Sequence, residues 1–414
     1  MLIIVLPIFL ITITCMIQIT DKHNCCGCSA CVQICPKQCI SFDEDNKGFC
    51  YPKVNVDNCF NCGLCEKACP CLNQDESQKP LKVYAAINPD EKIRSESSSG
   101  GVFTMLAEAI IAEGGVVFGA RFDEKWEVIH DYTETKEGLE AFRCSKYVQS
   151  KIGRTYIQAQ TFLNAGRKVL YTGTSCQIAG LKRFLRKEYD NLLTVDVVCH
   201  GVPSPLVWRN YLKTLTERPT EVVGNKTGWS LLKERPVISH ISFRDKLNGW
   251  KKFGFVVRGK TDCKAQEEIL LHETIDDNLF MKLFMCNLVL RPSCFNCSAK
   301  AGKSGSDITI ADYWGIEDVH PEFFDDKGAS AVIINSAKGQ AYIKKLNLRL
   351  LNSEYDNILR YNPSLEHSVE ETQDVERFWR VFEKKGIGAS IRIVNPPAPG
   401  FLRRAYYYIR RHLN

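Results

Sequence analysis

The chain is short of charge where charge would point to a partner. Its 54 Lys and Arg stand against 48 Asp and Glu, a formal +6 over 414 residues, and so small an excess gives no argument for nucleic acid. The first twenty residues, Met1 to Thr20, carry no charged side chain. A secretory signal would open on basic residues and close on a small-x-small cleavage site, and both are missing. The apolar run from Leu2 to Ile19, which contains Pro7, sits at the lower limit for crossing a bilayer. Two readings follow: a membrane anchor, or an extension upstream of a start at Met16 that would leave Ile17 to Thr20 as a short opening strand. At the other end, Arg392 to Asn414 has no acidic side chain and sets Arg392, Arg403, Arg404, Arg410 and Arg411 around Tyr406 to Tyr408. Such a tail suits an anionic membrane surface or a partner protein as well as it suits plain solvent.

What the chain has in excess is cysteine: 20 residues. Eight fall in two copies of C-x2-C-x2-C-x3-C-P, the first being Cys25, Cys28, Cys31, Cys35 and Pro36, the second Cys59, Cys62, Cys65, Cys69 and Pro70. Three closely spaced thiolates wrap three corners of a [4Fe–4S] cube, and the fourth of each run reaches the other cube. The spacing therefore assigns Cys25, Cys28, Cys31 and Cys69 to one cluster, and Cys59, Cys62, Cys65 and Cys35 to a second. Zinc knuckles show pairs of ligands rather than runs of four, and nothing else suggests a small disulfide-bonded secreted domain. The segment resembles the two-cluster bacterial ferredoxins. Clusters of this kind are kept in a reducing compartment, so the body of the protein is expected to be cytoplasmic, with membrane association through the termini as the added expectation.

At this length two or three domains are expected. Between the two cysteine runs, Ile40 to Phe42 and Phe49 to Val56 flank an Asp/Asn/Gly turn and predict a hairpin or a βαβ-like half of a ferredoxin fold; Leu72 to Pro80 reads as a linker. Beyond it, strands are expected at Val83–Ile87, Val116–Phe122, Val128–Tyr132, Lys168–Tyr171 and Leu192–Val198. They alternate with helices from Val102 to about Ile110 and over Ile152–Asn164, Gln177–Lys187 and Leu206–Thr216, the pattern of an α/β domain with a partly parallel sheet. Further strands are read at Ile241–Arg244, Phe253–Arg258, Ile308–Ala311 and Val332–Asn335, and helices at Asp276–Cys286 and Lys338–Leu351. The fold class is thus α+β, a small two-cluster module followed by a larger α/β domain. The divisions are 1–20, an apolar segment; 21–78, the two-cluster module; 79–350, the α/β domain; and 351–414, a helical, basic C-terminal region.

Two strand ends carry chemistry. Tyr171 to Gln177 and Asp196 to Pro203 each run from a strand toward a helix, at the carboxyl edge where open α/β sheets bind ligands. Neighbouring strands would set Cys176 and Cys199 side by side. Downstream, Cys294 and Cys297 form a C-x2-C pair. Four thiols from three segments suit a further metal site, with zinc on Cys294 and Cys297 as the alternative. Cys26, Cys39, Cys50, Cys71, Cys144, Cys263 and Cys286 read as plain buried thiols. Ser97 to Gly101 opens a helix with small residues, a setting that attracts phosphate and equally an ordinary helix cap.

Five blocks together resemble the beta-subunit family of coenzyme F420 hydrogenases and dehydrogenases: Ser97–Gly101, Lys146–Ser150, Gly173–Gln177, Cys199–Pro205 and Ser306–Gly315. The family often has Pro where this chain has Ser175 and Gly where it has Ala311; neither change removes a ligand. The resemblance spans roughly Lys22 to Leu350. It implies a flavin, usually FAD, and a third [4Fe–4S] cluster, here on Cys176, Cys199, Cys294 and Cys297. It places Ser99, Gly100 and Gly101 against the flavin diphosphate and Lys146 and Gln149 near the cofactor. The implied activity is that of a flavin-dependent iron–sulfur oxidoreductase, which splits a hydride into single electrons. A redox partner protein and a small-molecule donor or acceptor are expected with it, and a link to surface polysaccharide assembly is among the family's settings. The alternative is an electron-transfer adapter with no substrate of its own. No catalytic side chain is singled out.

Overall fold

The computed structural model describes residues 16–216, 237–261 and 264–394. The expectations for residues 1–15, for Cys263 and for most of the basic tail, 395–414, lie outside the described residues. Among the described residues no helix is long and apolar enough to cross a membrane.

The N-terminal module is built on its cysteines. Helix α1 (Ala30–Ile34) carries Cys31. Strands β1 (Ile40–Glu44) and β2 (Cys50–Val54) form the expected antiparallel hairpin, Ile40 opposite Val54. Helix α2 (Leu64–Lys67) carries Cys65. Each helix is entered through a left-handed residue, Ser29 or Gly63, so the chain turns sharply just before the third thiol of each motif. Ile17 to Thr20 pairs with no strand; instead the buried Ile17 donates its N–H to Cys65 Sγ at 3.3 Å.

The larger part opens with β3 (Lys82–Ile87), α3 (Glu91–Ser95) and α4 (Val102–Ala112), then β4 (Val116–Phe122) and β5 (Val128–Thr133). Then α5 (Thr155–Asn164), β6 (Val169–Thr174), α6 (Ser175–Leu185), β7 (Leu192–Val197) and α7 (Pro205–Thr216) alternate. A three-stranded antiparallel sheet follows: β8 (Val237–Asp245), β9 (Gly254–Thr261) and β10 (Lys264–Thr274). The remaining elements are α8 (Leu279–Met285), β11 (Ile308–Asp312), α9 (Ile316–Val319), β12 (Ser330–Ile334), α10 (Ala337–Lys345), β13 (Arg349–Ser353), α11 (Tyr355–Tyr361), α12 (Asp374–Ala389) and α13 (Ile391–Val394).

Eight strands make one mixed sheet in the order β13-β3-β12-β11-β7-β6-β4-β5. The inner pairs β4/β6, β6/β7 and β7/β11 are parallel, as a βαβ alternation demands, and the flanks are antiparallel. Val169, Leu170, Tyr171, Leu193 and Val195 are at most 1% exposed, as strands covered on both faces require. Two readings of the sequence are corrected. The helix expected over Lys338–Leu351 stops at Lys345, and Arg349–Ser353 pairs as β13 with β3: Leu350 and Leu351 alternate onto opposite apolar clusters, a period-2 demand that overrides helical propensity. Strand β10 was not expected, because its exposed edge carries Gln266, Glu267 and Glu268 and shows little apolar alternation.

Candidate metal centre

The two motif copies fold into different surroundings. In the first, Cys25, Cys28, Cys31 and Cys69 are all buried. They lie in one neighbourhood: burial and then the nearby Cys28 push the Cys31 thiol up, and a hydrogen bond with Cys71, burial and Cys28 push up that of Cys69. In the second, Cys35, Cys59, Cys62 and Cys65 line one open cavity of about 330 Å³, and Cys62 is exposed. Each neighbourhood thus takes its fourth cysteine from the other copy. Cys39, read as a plain thiol, lines the second cavity as well, with its Sγ 3.5 Å from that of Cys35.

A larger cavity of about 870 Å³ opens at the carboxyl edge of the parallel strands. Thr174 on β6 is paired with Val197 on β7, so Cys176 and Cys199 each lie two residues past a paired position. Both line the cavity, and the short turn Pro292–Asn296 brings Cys294 and Cys297 to the same wall. The four thiols named from sequence are therefore brought together. Cys176 sits in the first turn of α6, whose entry is fixed by a capping box between Thr174 and Gln177. Thr174 Oγ1 lies 3.3 Å from Cys176 Sγ. The thiol of Cys26 beside it, with a helix N-terminus, favours the Cys176 thiolate. Burial pushes Cys199 up to about 12 and Cys297 up to about 11, so a metal arriving here must displace protons. Lys300 Nζ donates to Cys199 O at 2.7 Å, and the Val202 N–H to Cys294 Sγ at 3.4 Å.

Three side chains join the two regions, two of them cysteines whose place in the sequence suggests only plain thiols. Cys26 and Cys71, from the N-terminal module, line the large cavity beside Cys176. Hydrogen bonds among these thiols raise Cys26, first through Cys176, and lower Cys71, first through Cys26. Arg291, 0% exposed, donates from Nε to Cys25 O at 2.7 Å, from Nη2 to Cys50 O at 3.0 Å and from Nη1 to Gln149 Oε1 at 3.0 Å. Its approach dictates Gly27: at φ +74°, a Cβ there would lie 2.5 Å from Gln149 Nε2 and 2.8 Å from Arg291 Nη1. An Arg three residues before a C-x2-C pair was the only trace of this in the sequence; Cys26 and Cys71 adjoin the motifs, but nothing in the chain order shows what they face.

The residues expected around a flavin are engaged by the protein itself. Ser99 Oγ donates to Ala329 O at 2.6 Å and Gly100 N to Ser330 Oγ at 2.9 Å. A Cβ on Gly100 would meet Ala86 O at 2.4 Å, so this glycine answers to strand packing rather than to a ligand. Gly101 turns left-handed (φ 80°) to cap α4. Lys146 Nζ donates to Ala141 O and Arg143 O, and burial brings it down to about 8. Gln149 lies instead at the Arg291 junction, donating to Cys26 O at 3.2 Å. Lys246 Nζ donates to Ser99 O, and Arg244, paired with Asp312, donates to Ser98 O. Basic side chains thus border the loop, and each of the five residues expected near a flavin is engaged by groups of the protein.

The donor set is all sulfur, and soft thiolates suit iron–sulfur clusters and zinc alike. Among the described residues no three His, Cys, Asp or Glu close on a single-ion position. The Tyr51 hydroxyl, buried near Cys25 and Cys294, finds no partner among the described residues.

Comparison with known proteins agrees with this division. Residues 24–73 match the 4Fe-4S dicluster domain, and residues 166–352 match the C terminus of the coenzyme F420 hydrogenase/dehydrogenase beta subunit. Coenzyme F420-dependent sulfite reductase of Methanocaldococcus jannaschii is 27% identical over 207 residues, 47% of this chain and 30% of that protein. An uncharacterized protein of the same organism is 24% identical over 209 residues, 42% of this chain and 56% of the relative. Ferredoxin-1 of Caulobacter vibrioides is 31% identical over 87 residues, 19% of this chain and 73% of the ferredoxin. The chain thus spans about a third to a half of the two Methanocaldococcus proteins. A chain of the F420-reducing [NiFe] hydrogenase complex from Methanosarcina barkeri aligns over 77% of this chain and 94% of its own length, at 14% identity and a TM-score of 0.42. The molecule is an iron–sulfur protein with two unlike halves. It joins an N-terminal 4Fe–4S dicluster, ferredoxin-like domain to a C-terminal F420 hydrogenase/dehydrogenase beta-subunit-like domain.

Proposed function

We propose that the protein is an iron–sulfur oxidoreductase in which electrons pass between the two clusters of the ferredoxin-like domain and a third held by Cys176, Cys199, Cys294 and Cys297. When bound, such clusters carry single electrons at potentials set by charge, hydrogen bonds to sulfur and exposure. One observation carries the reading: the first turns of α6 touch both regions. Cys176 faces the large cavity, and a Cβ on Gly180, one turn on, would meet Cys28 Cβ at 2.8 Å. Cys26 and Cys71 line the cavity beside Cys176, and the thiols of the first motif behind them are buried. At the far side, the exposed Cys62 and the 56%-exposed Phe60 leave the second motif open to an outside redox partner.

A flavin is a separate part of the proposal. It rests on the family and on the basic surroundings of Ser98 to Gly101, and no step is assigned to it. Anaerobic purification with iron, sulfide, zinc and flavin counts tests both parts. About twelve irons are expected for three cubes, and about eight in Cys176→Ser or Cys297→Ser with the ferredoxin signals kept. Eight irons in the unaltered chain, or zinc in their place, would overturn the third cluster. Reduction by a small donor without any partner protein separates an enzyme from an adapter.

A further inference from the structure

The guanidinium at the junction has a consequence for the cluster it touches. Besides its three carbonyl partners, Arg291 Nη2 lies 3.5 Å from Cys25 Sγ. Its Cζ lies over the Tyr51 ring, 4.3 Å from the centroid, and 5.5 Å from the centroid of the Phe49 ring. It is held from behind as well: the Arg291 N–H donates to Val202 O, and Arg291 O accepts from the Cys294 N–H. The charge is fixed, dry and aimed at one sulfur. In the second motif the equivalent position, Cys59, is half-exposed beside the Asn61 side chain. Two copies with one spacing therefore differ in a full positive charge at their first ligand.

We propose that Arg291 is a positioning residue that raises the reduction potential of the cluster bound by Cys25, Cys28, Cys31 and Cys69. A reduced cluster carries one more negative charge than its oxidised form, so a buried cation beside a ligand sulfur favours reduction, and the effect grows as the local dielectric falls. Arg is suited to this because it stays charged when buried and presents several fixed donors, one to the sulfur and the rest to carbonyls that hold it in place. Gln149 completes the device by accepting from Nη1 without adding a charge. The inference deepens the proposed function and rests on Cys25 being a cluster ligand.

The test is a potentiometric titration of the full chain, loaded anaerobically and followed by electron paramagnetic resonance, with iron counted in each variant. Arg291→Gln is expected to keep its iron and to move one reduction step to lower potential by at least tenfold in its equilibrium, about 59 mV for one electron, with the other steps in place. Arg291→Lys, which restores the charge, should recover most of that shift. Full iron with every step unmoved in Arg291→Gln overturns the proposal. If that variant loses iron, Gln149→Glu leaves Arg291 in place and sets a carboxylate against it; the same step should fall, and an unmoved step again overturns the idea. Loss of iron in Arg291→Gln and Arg291→Lys alike, with the remaining steps unmoved, would assign Arg291 to folding alone. An unaltered chain with eight irons would unseat the third cluster and leave this titration readable on the ferredoxin pair.

Discussion

The two cysteine motifs have the same spacing and opposite fates. The first is walled in by α6, Arg291 and Gln149; the second keeps Cys62 exposed, with Val56 59% and Phe60 56% exposed around it. Spacing is a local, covalent property, and it specifies that a cube can be held. What the cube does next depends on what is packed against it, which only the tertiary structure sets. A ferredoxin-like domain alone could be nearly symmetric. Fused to an α/β domain it becomes directional, one site facing the interior and the other facing solvent.

Aromatic side chains give the sharpest way to break this comparison. Phe49, on the module's hairpin, is fully buried in the core built by α7, β8, β9 and α8. Phe60 sits beside the exposed motif, with Lys37 Nζ 5.8 Å above its ring. Phe49→Ala is expected to cost about 3–5 kcal/mol, as a large core truncation does, and to loosen the seating of the first motif. Phe60→Ala should stay within about 0.5 kcal/mol. Urea midpoints read by tryptophan fluorescence check both. Equal costs would mean that the hairpin is not anchored in the α/β core.

How much of this was legible follows the same division. The eight motif thiols could be assigned from chain order because three ligands of each set lie within seven residues. The parallel strands were legible because their apolar runs are continuous, and the placing of Cys176 beside Cys199 followed from β6 and β7 being neighbours. Leu350 and Leu351 were taken into a helix because a short apolar run beside one has no period of its own; the edge of β3 decides it. Arg291 is 266 residues from Cys25, and no local pattern reports a contact at that separation. The Ser97–Gly101 loop is ambiguous for a related reason: glycine at a close approach looks the same whether the approaching group is a phosphate or Ala86 O.

The interior edge should also respond to pH. His130 on β5 is 5% exposed. Its Nε2 lies 3.1 Å from Thr172 O and its Nδ1 2.8 Å from Ser150 Oγ, which accepts from Gln177 Nε2 at 2.8 Å. Thr172 O can only accept, so Nε2 carries the proton and the ring is neutral. Burial lowers its pKa from 6.5 to about 4. As pH falls through 6.5 the unfolded chain takes up a proton that the folded chain refuses until about 4. Stability is therefore present above the unfolded value and lost across this window, about 3 kcal/mol in all and about 2 kcal/mol between pH 7 and pH 5. His130→Gln should flatten that part of the profile. Because the Ser150–Gln177 pair supports the turn bearing Cys176, the large cavity should loosen before the exposed motif does. An unchanged slope in the variant would assign the acid sensitivity to other groups.

The most specific effect is a small one. Gly180 lies mid-helix in α6, where replacing glycine by alanine ordinarily stabilises by about 1 kcal/mol. Propensity alone predicts that Gly180→Ala strengthens the protein. Packing predicts the reverse: the added Cβ would stand 2.8 Å from Cys28 Cβ, 2.9 Å from Cys28 Sγ and 3.0 Å from Tyr156 Oη. None of these is the loose end of a flexible chain. Cys28 sits inside its motif, and the Tyr156 hydroxyl donates to Gln177 O at 2.7 Å. Overpacking of this kind costs about 1–3 kcal/mol, which meets or exceeds the gain of about 1 kcal/mol from propensity, so a net loss of up to about 2 kcal/mol is expected. The loss should fall on one side of the molecule. Iron bound through Cys28 becomes easier to remove with a chelator, while iron in the second cavity, which α6 does not line, is removed at the unaltered rate. A stabilised Gly180→Ala protein that holds all its iron equally well would show that α6 and the first motif do not touch, and the path from Cys28 to Cys176 would have no physical basis.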